Sequence, residues 1–571
     1  MNKRWILPEA VPAEAAIELG AYSPIERSVL WRRGVGTRAQ ADAYFHGPPT
    51  THDPFGLRGM AQAVARIRIA VQSGEAIAVY GDYDADGLTG TALLVSYLRR
   101  LGAQVTHFIP NRYREGYGLT EDAVRALSAD GARLVITVDC GARSVAEAGA
   151  ARLAGLDLVI TDHHAPGDVL PECLALVNPK QPGDGYPFDD LSGVGLAYKL
   201  TQALATGLDG PDPDENLDLV AIGTIADLVP LRGENRTLTR QGLVQMRTAD
   251  RPGLRALMAV SGIQPANVRA SNVGFGIAPR LNAAGRLDSA EAAYQLLMTD
   301  VEAEAEPLAR SLDNSNRDRR QATSVQVDLA RALATEAGNQ HLIFAAHPDF
   351  REGLAGLVAA RLVEERYRPV VIAHLGEREV RGSARSIPGF HITRALDECS
   401  GLLVRYGGHA AAGGFTVERR NMAELADRLR QIARRELGEA ELSPAVNIDA
   451  LLTAADLGWR LVEFSESLEP CGSGNEAPVF GAVGLRVRSA RTVGSEAKHL
   501  KLTLGMDGSG SVWDAIGFGL GSLAAGLPGR IDAAFRVERN TWGGYDSLQL
   551  NLVDVRPESA GDGRASPRSG T

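Results

Sequence analysis

The sequence predicts an α/β protein of several domains: a parallel-sheet domain, a helical bridge, a second α/β domain and a small β-barrel. Three observations support this prediction. Short apolar runs typical of strands alternate with helical patterns from residue 76 to about 178, and again from 341 to 442. A long helical pattern connects these two regions. Short strands with glycine-rich turns follow from residue 445 to 555, which is typical of a barrel.

Length and composition limit the class of protein. A chain of 571 residues is too long for one hydrophobic core, so two to four domains are expected. The net charge of -10 argues against a generally basic surface but leaves room for a local basic groove. The four cysteines are scattered, which favours a reducing cytoplasm and disfavours a thiolate zinc site. No apolar run approaches the roughly 20 residues that span a bilayer, and we find no signal peptide, so we expect a cytoplasmic protein.

The first α/β unit begins with the strand Ala76–Tyr80, which runs into the acidic segment G-D-Y-D-A-D-G. Glycines then allow a turn, and Thr89 or Thr91 is expected to cap a helix that ends near Leu98. In an open α/β sheet this loop lies at the carboxyl edge of the strand, where ligands bind. Its three acids repel one another unless a divalent cation compensates them, and oxygen ligands suit Mg²⁺ or Mn²⁺. These acids are Asp82, Asp84 and Asp86.

Two other interpretations of this loop remain open on the residues alone. The first is an EF-hand calcium loop, because D-Y-D-A-D-G matches its first six positions. That interpretation fails at the twelfth position, where Leu93 replaces the bidentate glutamate, and a strand rather than a helix enters the loop. The second is a solvated acidic turn that holds no metal.

Polar residues also follow the other predicted strands of this domain, which are Gln104–Ile109, Arg133–Val138, Asp157–Thr161 and Leu174–Val177. Because the carboxyl ends of parallel strands share one edge of the sheet, we expect these residues to meet the acidic loop. They are Asn111, Arg112, Asp139, Asp162, His163 and His164. Asp227 ends the apolar helical segment 217–230, where an ordinary helix-terminal acid is the alternative.

The second half of the chain adds basic and glycine-rich segments. We expect Gly274–Leu287 to form a loop, and helices from Ala290 to about Ala337 to be broken near Pro307. The basic segment 314–321 is interpreted as the solvated face of that helical bridge. The segments R-G-S-A-R-S and Y-G-G-H-A-A-A-G-G-F could bind a phosphate through Ser383, Arg385 and backbone amides near His409, although tight turn packing explains the glycines equally well.

The C-terminal segment combines basic and aromatic residues on short strands. Such a surface suits stacking of single-stranded bases, for which Trp513 and Trp542 are the candidates, although both could equally belong to the core. Residues 557–571 are rich in serine, glycine, arginine and proline, so we expect a disordered tail.

Taken together, these motifs resemble the DHH phosphoesterase superfamily, and within it the 5′-to-3′ exonucleases specific for single-stranded DNA. The resemblance covers nearly the whole chain and depends on an ordered set of motifs: G-D-Y-D-A-D-G, V-D-C-G, D-H-H, S-G-V-G-L-A-Y-K, A-I-G-T-I-A-D, R-L-N-A-A-G-R-L and Y-G-G-H-A-A-A-G-G. It implies a helical segment 1–75 packed on a DHH domain 76–285, bridging helices 286–340, a DHH-associated domain 341–442 and an oligonucleotide-binding (OB-like) barrel 443–556.

The resemblance further implies a site for two divalent ions, with Mn²⁺ favoured and Mg²⁺ possible, and catalytic roles for Asp139, His163 and His164. Smaller DHH enzymes have a histidine where this chain has Tyr80, so Asp82 is the expected substitute ligand. Asp162 is expected to orient a metal-binding histidine, and Asp139 to bridge the two ions. The implied metal ligands are Asp82, Asp84, Asp86, Asp139, His163 and Asp227. The expected DNA-contacting residues are Asn111, Arg112, Arg280, Asn282, Arg286, Ser383, Arg385 and His409.

The expected function is thus a metal-dependent exonuclease that degrades single-stranded DNA to mononucleotides in repair and recombination. One alternative is a DHH phosphodiesterase of short oligoribonucleotides or cyclic dinucleotides, which would not need the barrel. Another is an inactive DNA-binding scaffold, against which the complete acid and histidine set argues. The expected partners are single-stranded DNA and a single-strand-binding protein or helicase, with no membrane, and we expect a monomer.

Overall fold

The computed structural model describes residues 3–46, 51–111, 116, 118–207, 209–248, 250–287, 289–336, 341–438, 442–507, 510–540 and 545–558. The chain forms two compact units. One contains Thr51–Leu442, and the other contains Met1–Thr50 together with Ser443–Thr571. Within the described ranges, no helix is long and apolar enough to cross a membrane. The expected disordered tail from 559 onward lies outside the described residues.

The first domain of the larger unit contains the predicted parallel sheet. Its five strands lie in the spatial order Gln104–Phe108, Ala76–Gly81, Leu134–Val138, Asp157–Thr161 and Ala175–Val177, and all pairs are parallel. Chain connections run in opposite directions on the two sides of Ala76–Gly81, so a switch point lies between that strand and Leu134–Val138. Ligand sites in such sheets open at this point.

The first strand is buried on both faces, as its apolar run predicts. Ile77 and Val79 belong to the core formed with the helices Met60–Ser73, Ala85–Arg100 and Gly193–Ala205. Ala78 and Tyr80 point to the opposite core, which contains the helices Glu121–Ala129 and Val145–Leu153. This alternation follows from the two-residue period of a strand.

A helical region follows the sheet, and here two expectations were wrong. The predicted loop Gly274–Leu287 is helical: a π-turn at Val273–Ile277 leads directly into the helix Ala278–Leu287. The bridge does not break at Pro307, because Thr299 ends the preceding helix in an extended conformation and Pro307 lies near the start of the next one. The helices of this region are Gly193–Ala205, Leu217–Ala226, Gly233–Met246, Pro252–Val260, Ala278–Leu287, Glu291–Met298 and Glu302–Glu336.

The second α/β domain has a mixed sheet. Its strands lie in the order Leu403–Gly408, Ala412–Glu418, Glu379–Arg385, Val370–Leu375 and Ile343–His347, and only the last pair is parallel. The segments expected as phosphate-binding loops are therefore mostly strands. Gly382 lies so close to the ring of Phe415 that a β-carbon would come within 2.3 Å of it, so sheet packing explains this glycine. Three helices complete the domain: Glu352–Arg366, Ile392–Asp397 and Met422–Leu437.

The smaller unit contains a closed five-stranded barrel. Its strands are Phe480–Val493, His499–Gly505, Val512–Gly517, Ser547–Pro557 and Arg530–Asn540, in that spatial order, and the last pairs back with the first. This closure confirms the predicted barrel.

The N-terminal segment was assigned to the wrong domain. The helices Ala13–Glu18, Pro24–Arg32 and Arg38–His46 contribute apolar side chains to the barrel core, beside the helix Trp459–Ser467. The strand Arg4–Ile6 also pairs with Ala445–Asn447. Among the described residues before 76, Leu57 and the helix Met60–Ser73 contribute to the core of the DHH-like domain, because the apolar stripe of this helix meets the parallel sheet.

Candidate metal centre

Acidic and imidazole side chains converge at the carboxyl edge of the parallel sheet. Three overlapping groups have one potential ligand atom per residue within 4.8 Å of one another: Asp82 with Asp84 and Asp139, Asp86 with His163 and Asp227, and Asp139 with His163 and His164. All six expected metal ligands are therefore in one place. They are far apart in the sequence, and they meet because each follows a strand or ends a helix at the same edge of the sheet.

Asp84 begins the helix that follows the first strand. Its Oδ1 accepts hydrogen bonds from the backbone N–H groups of Asp86 at 3.0 Å and Gly87 at 3.1 Å, so Asp84 rather than a threonine caps the helix Ala85–Arg100. The Ala85 N–H donates to Oδ1 of Asn282 at 2.7 Å. These bonds hold the acidic loop in a defined conformation.

Asp86 is anchored by a second helix. Its carboxylate accepts the backbone N–H groups of Gly193 at 2.7 Å and Val194 at 2.8 Å, at the start of the helix Gly193–Ala205. Ser192 caps that helix through the Gly195 N–H. Because a helix N-terminus carries partial positive charge, it stabilises the Asp86 carboxylate in the absence of a basic side chain. The S-G-V-G motif therefore positions an acid of the centre.

Asp139 and His163 lie at the middle of the group. The Nε2 atom of His163 is 3.1 Å from Oδ1 of Asp139, 3.4 Å from Oδ2 of Asp227 and 3.9 Å from Oδ2 of Asp86. Asp139 has a backbone φ of 63°, which is unusual for a residue other than glycine. Its N–H donates to the Thr161 carbonyl at 3.0 Å, so the pairing of the two strand ends fixes this conformation.

The donor set fits a divalent cation. In the described part of the chain, Oδ1 of Asp139 and both ring nitrogens of His163 are buried without a hydrogen-bond partner of acceptable geometry. Buried polar atoms are normally satisfied, so such a cluster requires an explanation. Carboxylate oxygens with imidazole nitrogen form a ligand set suited to Mn²⁺ and compatible with Mg²⁺.

The electrostatics of the cluster lead to the same conclusion. Burial and the neighbouring Asp84 raise the pKa of Asp86 to about 7, and burial with Asp86 raises the pKa of Asp227 to about 9. Burial and the surrounding acids hold the pKa of Asp139 well above its usual value. Burial lowers the pKa of His163 to about 3, which leaves a neutral imidazole. A bound cation would reverse the penalty on the ionised acids.

Asp162 orients His164 rather than His163. Its Oδ1 lies 2.8 Å from Nδ1 of His164 and accepts the His164 N–H at 3.0 Å, while Oδ2 accepts the Ala142 N–H at 2.8 Å. Burial alone would raise the pKa of Asp162, but these bonds lower it. Burial also opposes protonation of His164, yet its bond to Asp162 prevails and raises the His164 pKa.

Comparison with known proteins assigns the family. Residues 76–224 match the DHH family N-terminal domain, residues 339–435 the DHHA1 domain and residues 448–554 the RecJ OB domain. The chain is 38% identical over 560 residues to the single-stranded-DNA-specific exonuclease RecJ of Bacillus subtilis, covering 97% of this chain and 70% of that protein. The chain belongs to the RecJ family.

Other RecJ proteins support this assignment. RecJ of Salmonella typhimurium is 34% identical, with 95% of this chain and 98% of that protein covered. The crystal structure of RecJ from Thermus thermophilus in complex with Mn²⁺ is 33% identical, covers 98% of this chain and 80% of that chain, and superposes with a TM-score of 0.84. The Mg²⁺ complex from the same organism covers 98% of this chain and 79% of that chain, with a TM-score of 0.78 at 32% identity.

Tyr80 lies outside the metal centre. It occupies the position at which smaller DHH enzymes have a histidine. Its side chain is fully buried on the other face of the sheet, where the hydroxyl donates to the Gly118 carbonyl at 2.9 Å and the ring stacks on Phe108. Asp82 is instead the acid that joins Asp84 and Asp139. The expected substitution of Asp82 for the missing histidine is compatible with this geometry.

Two residues expected to contact DNA have partners within the folded chain. The Arg280 guanidinium is 2.8 Å from Asp313 of the bridging helix and donates to the Gly276 carbonyl at 2.6 Å. Asn282 is engaged with the Ala85 N–H described above. Sequence alone could not identify these partners, because both are set by packing of distant segments.

Arg286, Ser383 and Arg385 lie near the start of the helix Glu352–Arg366. Arg286 donates to the Gly353 carbonyl at 3.3 Å, and a β-carbon on Gly356 would lie 2.8 Å from the Arg385 guanidinium. Ser383 and Arg385 are two residues apart, so they lie on the same face of their strand, and both are half-buried. Three of the expected residues thus lie beside one helix N-terminus.

The remaining candidates differ in their surroundings. His409 is exposed, and its pKa is lowered by partial burial and by the charges of His164, Arg143 and Lys180. Asn111 is half-buried at a strand end. Trp513 is only 6% exposed within the barrel core, so it does not present its ring to a base. Arg112 and Trp542 lie outside the described residues.

Sequence reasoning missed Asn178 and Lys180. Both follow the strand Ala175–Val177, the one strand end at which no polar residue was selected. The Asn178 side chain donates to the His164 carbonyl at 2.9 Å and accepts the Lys180 N–H at 2.8 Å. The charge of Lys180 opposes the rise in the Asp227 pKa that burial and neighbouring acids cause. The strand-end rule would have identified them if it had been applied to V-N-P-K.

Proposed function

We propose that this chain is a divalent-metal-dependent exonuclease that degrades single-stranded DNA from the 5′ end to mononucleotides, in DNA repair and recombination. The observation that carries the proposal is the convergence of six acidic and imidazole side chains at one sheet edge. It occurs in a chain that matches single-stranded-DNA-specific RecJ exonucleases over nearly its full length. A cytoplasmic protein that acts as a monomer, with a single-strand-binding protein or helicase as partner, is part of the same proposal.

Two divalent ions, with Mn²⁺ favoured over Mg²⁺, are proposed to bind the centre. Asp82, Asp84 and Asp139 would hold one ion, and Asp86, His163 and Asp227 the other, with Asp139 able to serve both. Such ions neutralise the scissile phosphate, make a water molecule more acidic and stabilise the leaving oxygen. The buried neutral imidazole of His163 supports this role, because a metal ligand must present an unprotonated nitrogen.

The other side chains act on the substrate. Asp162 holds the His164 ring in place, and its bond favours the protonated imidazole, so His164 is proposed to donate a hydrogen bond to the scissile phosphate. Lys180 follows the strand Ala175–Val177 at the same sheet edge and is proposed to attract the phosphate backbone. The lowered pKa of His409 favours a neutral imidazole, which is proposed to contact the DNA by hydrogen bonding. The positive charges of His164 and Lys180 matter because hydrolysis brings a negatively charged nucleophile towards the negatively charged phosphodiester.

The 5′ preference is proposed to come from the residues beside the helix Glu352–Arg366. A terminal phosphate carries more charge than an internal one, and guanidinium groups with a hydroxyl and a helix N-terminus can bind it. Arg286, Ser383 and Arg385 supply these groups. The Arg280 guanidinium is paired with Asp313, so we propose that Arg286 rather than Arg280 completes this pocket.

The closed barrel favours a long-strand nuclease over the two alternatives. A phosphodiesterase of dinucleotides or short oligoribonucleotides gains nothing from a barrel that matches an OB domain. A scaffold without activity would not need buried acids whose pKa values are raised at a cost to folding.

The proposal is tested with single-stranded DNA labelled at either end. With Mn²⁺, DNA with a 3′ label should shorten progressively, whereas DNA with a 5′ label should release labelled mononucleotide at once. Duplex DNA and single-stranded RNA of the same sequence serve as controls. Release from the 3′ end, or equal cleavage of duplex DNA, would refute the polarity or the strand specificity. Cleavage limited to dinucleotides would favour the alternative phosphodiesterase.

A further inference from the structure

The two ends of the bridging helix Glu302–Glu336 are buried in different domains, and its middle is not buried. Ala305, Ala309 and Leu312 belong to the core of the DHH domain, and Val327, Ala330 and Ala334 belong to that of the DHHA1 domain. Between these two groups, none of residues 317–325 is buried. The helix therefore leaves one core and enters the other across a segment whose side chains are exposed or only partly buried.

Arg319 is one of the partly buried residues of this segment. It follows Asp313 by six residues and precedes Gln326 by seven, which places it about 9 Å and about 10 Å from them along the helix axis. Asp313 binds Arg280 of the DHH domain, and Gln326 accepts the Arg351 N–H at the start of the DHHA1 helix. Arg319 thus lies midway between the two attachment points of the bridge.

In the described ranges, the Arg319 guanidinium has no acidic partner: no carboxylate lies within 4.0 Å of it, and its Nε is buried without an acceptor. Its Nη2 donates to the neutral Asn316 side chain at 2.9 Å, while Arg320 adds a second positive charge nearby. Burial and that charge together lower the Arg319 pKa.

Several other partly buried arginines of this unit differ from Arg319 in having a carboxylate partner: Arg66 pairs with Asp157, Arg251 with Asp218 and Arg280 with Asp313. Among the described residues Arg68 has no carboxylate partner, but it donates to the Leu204 and Thr206 carbonyls. A desolvated guanidinium without a counter-charge is unfavourable, and an unsatisfied buried donor in a folded protein requires an explanation. In a chain of net charge -10, acids are abundant enough to have supplied a partner. An anion from outside the chain is the simplest partner that remains.

We propose that Arg319 binds a backbone phosphate of the DNA strand where the strand passes the bridging helix between the two domains. This inference rests on the proposed function and adds a phosphate contact away from the metal centre. A guanidinium presents a planar fork that matches two phosphate oxygens, and a phosphate supplies the acceptors that the folded chain lacks. The basic segment 314–321, interpreted from sequence as a solvated face, would then line the path of the strand.

The test compares Arg319→Gln with Arg428→Gln, which removes the same charge from an exposed arginine paired with Glu424. Binding of a long oligothymidylate is measured by fluorescence anisotropy in EDTA over a range of NaCl concentrations. Arg319→Gln should weaken binding about tenfold at fixed salt. It should also reduce the slope of log K against log [NaCl] by about 0.7, which is the value for one contact with a single strand. Arg428→Gln should leave the slope unchanged, and Arg319→Lys should restore most of it.

Thermal unfolding of the free proteins separates binding from a structural role. Loss of an unpaired charge should leave the Tm of Arg319→Gln equal to or above that of the wild type. A clear fall in Tm, or a salt slope equal to that of the wild type, would overturn the inference. Hydrolysis by the wild type with Mn²⁺ is measured on the same strand. If the wild type cleaves it and the slope is unchanged in Arg319→Gln, only the inference fails; if the wild type neither binds nor cleaves it, the proposed function fails.

Discussion

Gly193 lies so close to Asp139 that a β-carbon on Gly193 would come within 2.5 Å of the Asp139 side chain. The same glycine donates its N–H to Asp86 at 2.7 Å. One residue of the S-G-V-G motif therefore contacts two acids of the metal centre, which come from two other strand ends. Any side chain at this position must displace one of them.

We therefore expect Gly193→Ala to lower kcat by about 100-fold, because displacements of about 1 Å at a reacting centre have effects of this size. The Mn²⁺ affinity should fall as well, measured by calorimetry. Gly149→Ala is the matched control, since a β-carbon there has no neighbour within 4 Å. Activity in Gly193→Ala equal to that of this control would show that Asp139 and Asp86 tolerate the displacement.

Asp139→Asn should abolish hydrolysis yet stabilise the metal-free fold. The amide keeps the shape of the side chain and removes a charge that burial and neighbouring acids disfavour. Asparagine also tolerates the positive φ of 63° at this position, whereas Asp139→Ala should lose about 1 kcal/mol from backbone strain. Differential scanning calorimetry in EDTA should show a higher Tm for Asp139→Asn than for the wild type. Full nuclease activity in either variant would remove Asp139 from the mechanism.

The stability of the metal-free protein should fall as pH rises. Asp86 and Asp227 have folded pKa values of about 7 and about 9, above the value near 4 of an unfolded carboxyl group. An acid whose pKa is higher in the folded state does not affect the free energy of unfolding below its unfolded pKa. It lowers that free energy progressively as pH rises from the unfolded pKa to the folded pKa. The Tm in EDTA should therefore decrease between pH 5 and pH 9. Mn²⁺ should make the Tm less dependent on pH, and its binding at pH 7 should release protons. A profile that Mn²⁺ leaves unchanged would argue against metal binding by these acids.

Arg385→Ala should erase the preference for 5′-phosphorylated over 5′-hydroxyl DNA and spare most activity on the latter. The reason is the location of Arg385 beside the helix Glu352–Arg366 with Ser383 and Arg286. Steady-state rates on the two substrates measure the effect.

Arg280→Gln is the informative control for that experiment. It removes one of the two arginines that pair with Asp313 and leaves the other, Arg317, in place. The free energy of unfolding should therefore fall by about 2 kcal/mol in urea, the size expected for a lost hydrogen bond to a charged group, while the 5′ preference persists. If Arg385→Ala slows both substrates equally, the residues that read the 5′ end lie elsewhere. If Arg280→Gln abolishes the preference, Arg280 reads the 5′ end despite its pairing with Asp313.

A fragment of residues 51–442 should fold and cleave very short strands, whereas a fragment of residues 1–442 should aggregate. The first fifty residues bury Leu19, Val29 and Leu30 in the barrel core, and these side chains become exposed when the barrel is removed. Loss of the barrel should weaken binding of long strands more than cleavage of dinucleotides. Light scattering and activity on both substrates provide the measurements. Equal solubility of the two fragments would show that the N-terminal helices need no barrel.

The sequence by itself determined the alternation of strands and helices, the parallel sheet, the barrel and most of the polar residues that meet at the carboxyl edge of the sheet. These features follow from short-range patterns: apolar periodicity identifies the elements, and parallel strands bring their carboxyl ends to one edge. For this reason Asp84, Asp139 and His163 could be grouped from their positions in the sequence.

Only the tertiary structure decided which partner each of these residues meets. In the structure, Asp86 accepts hydrogen bonds from the N–H groups of Gly193 and Val194. Asp162 is hydrogen-bonded to His164, and Arg280 forms an ion pair with Asp313. The tertiary structure also assigned the N-terminal helices to the barrel core. Hydrogen bonds and ion pairs between segments far apart in sequence depend on how whole elements pack, and a local pattern contains no information about the opposing surface.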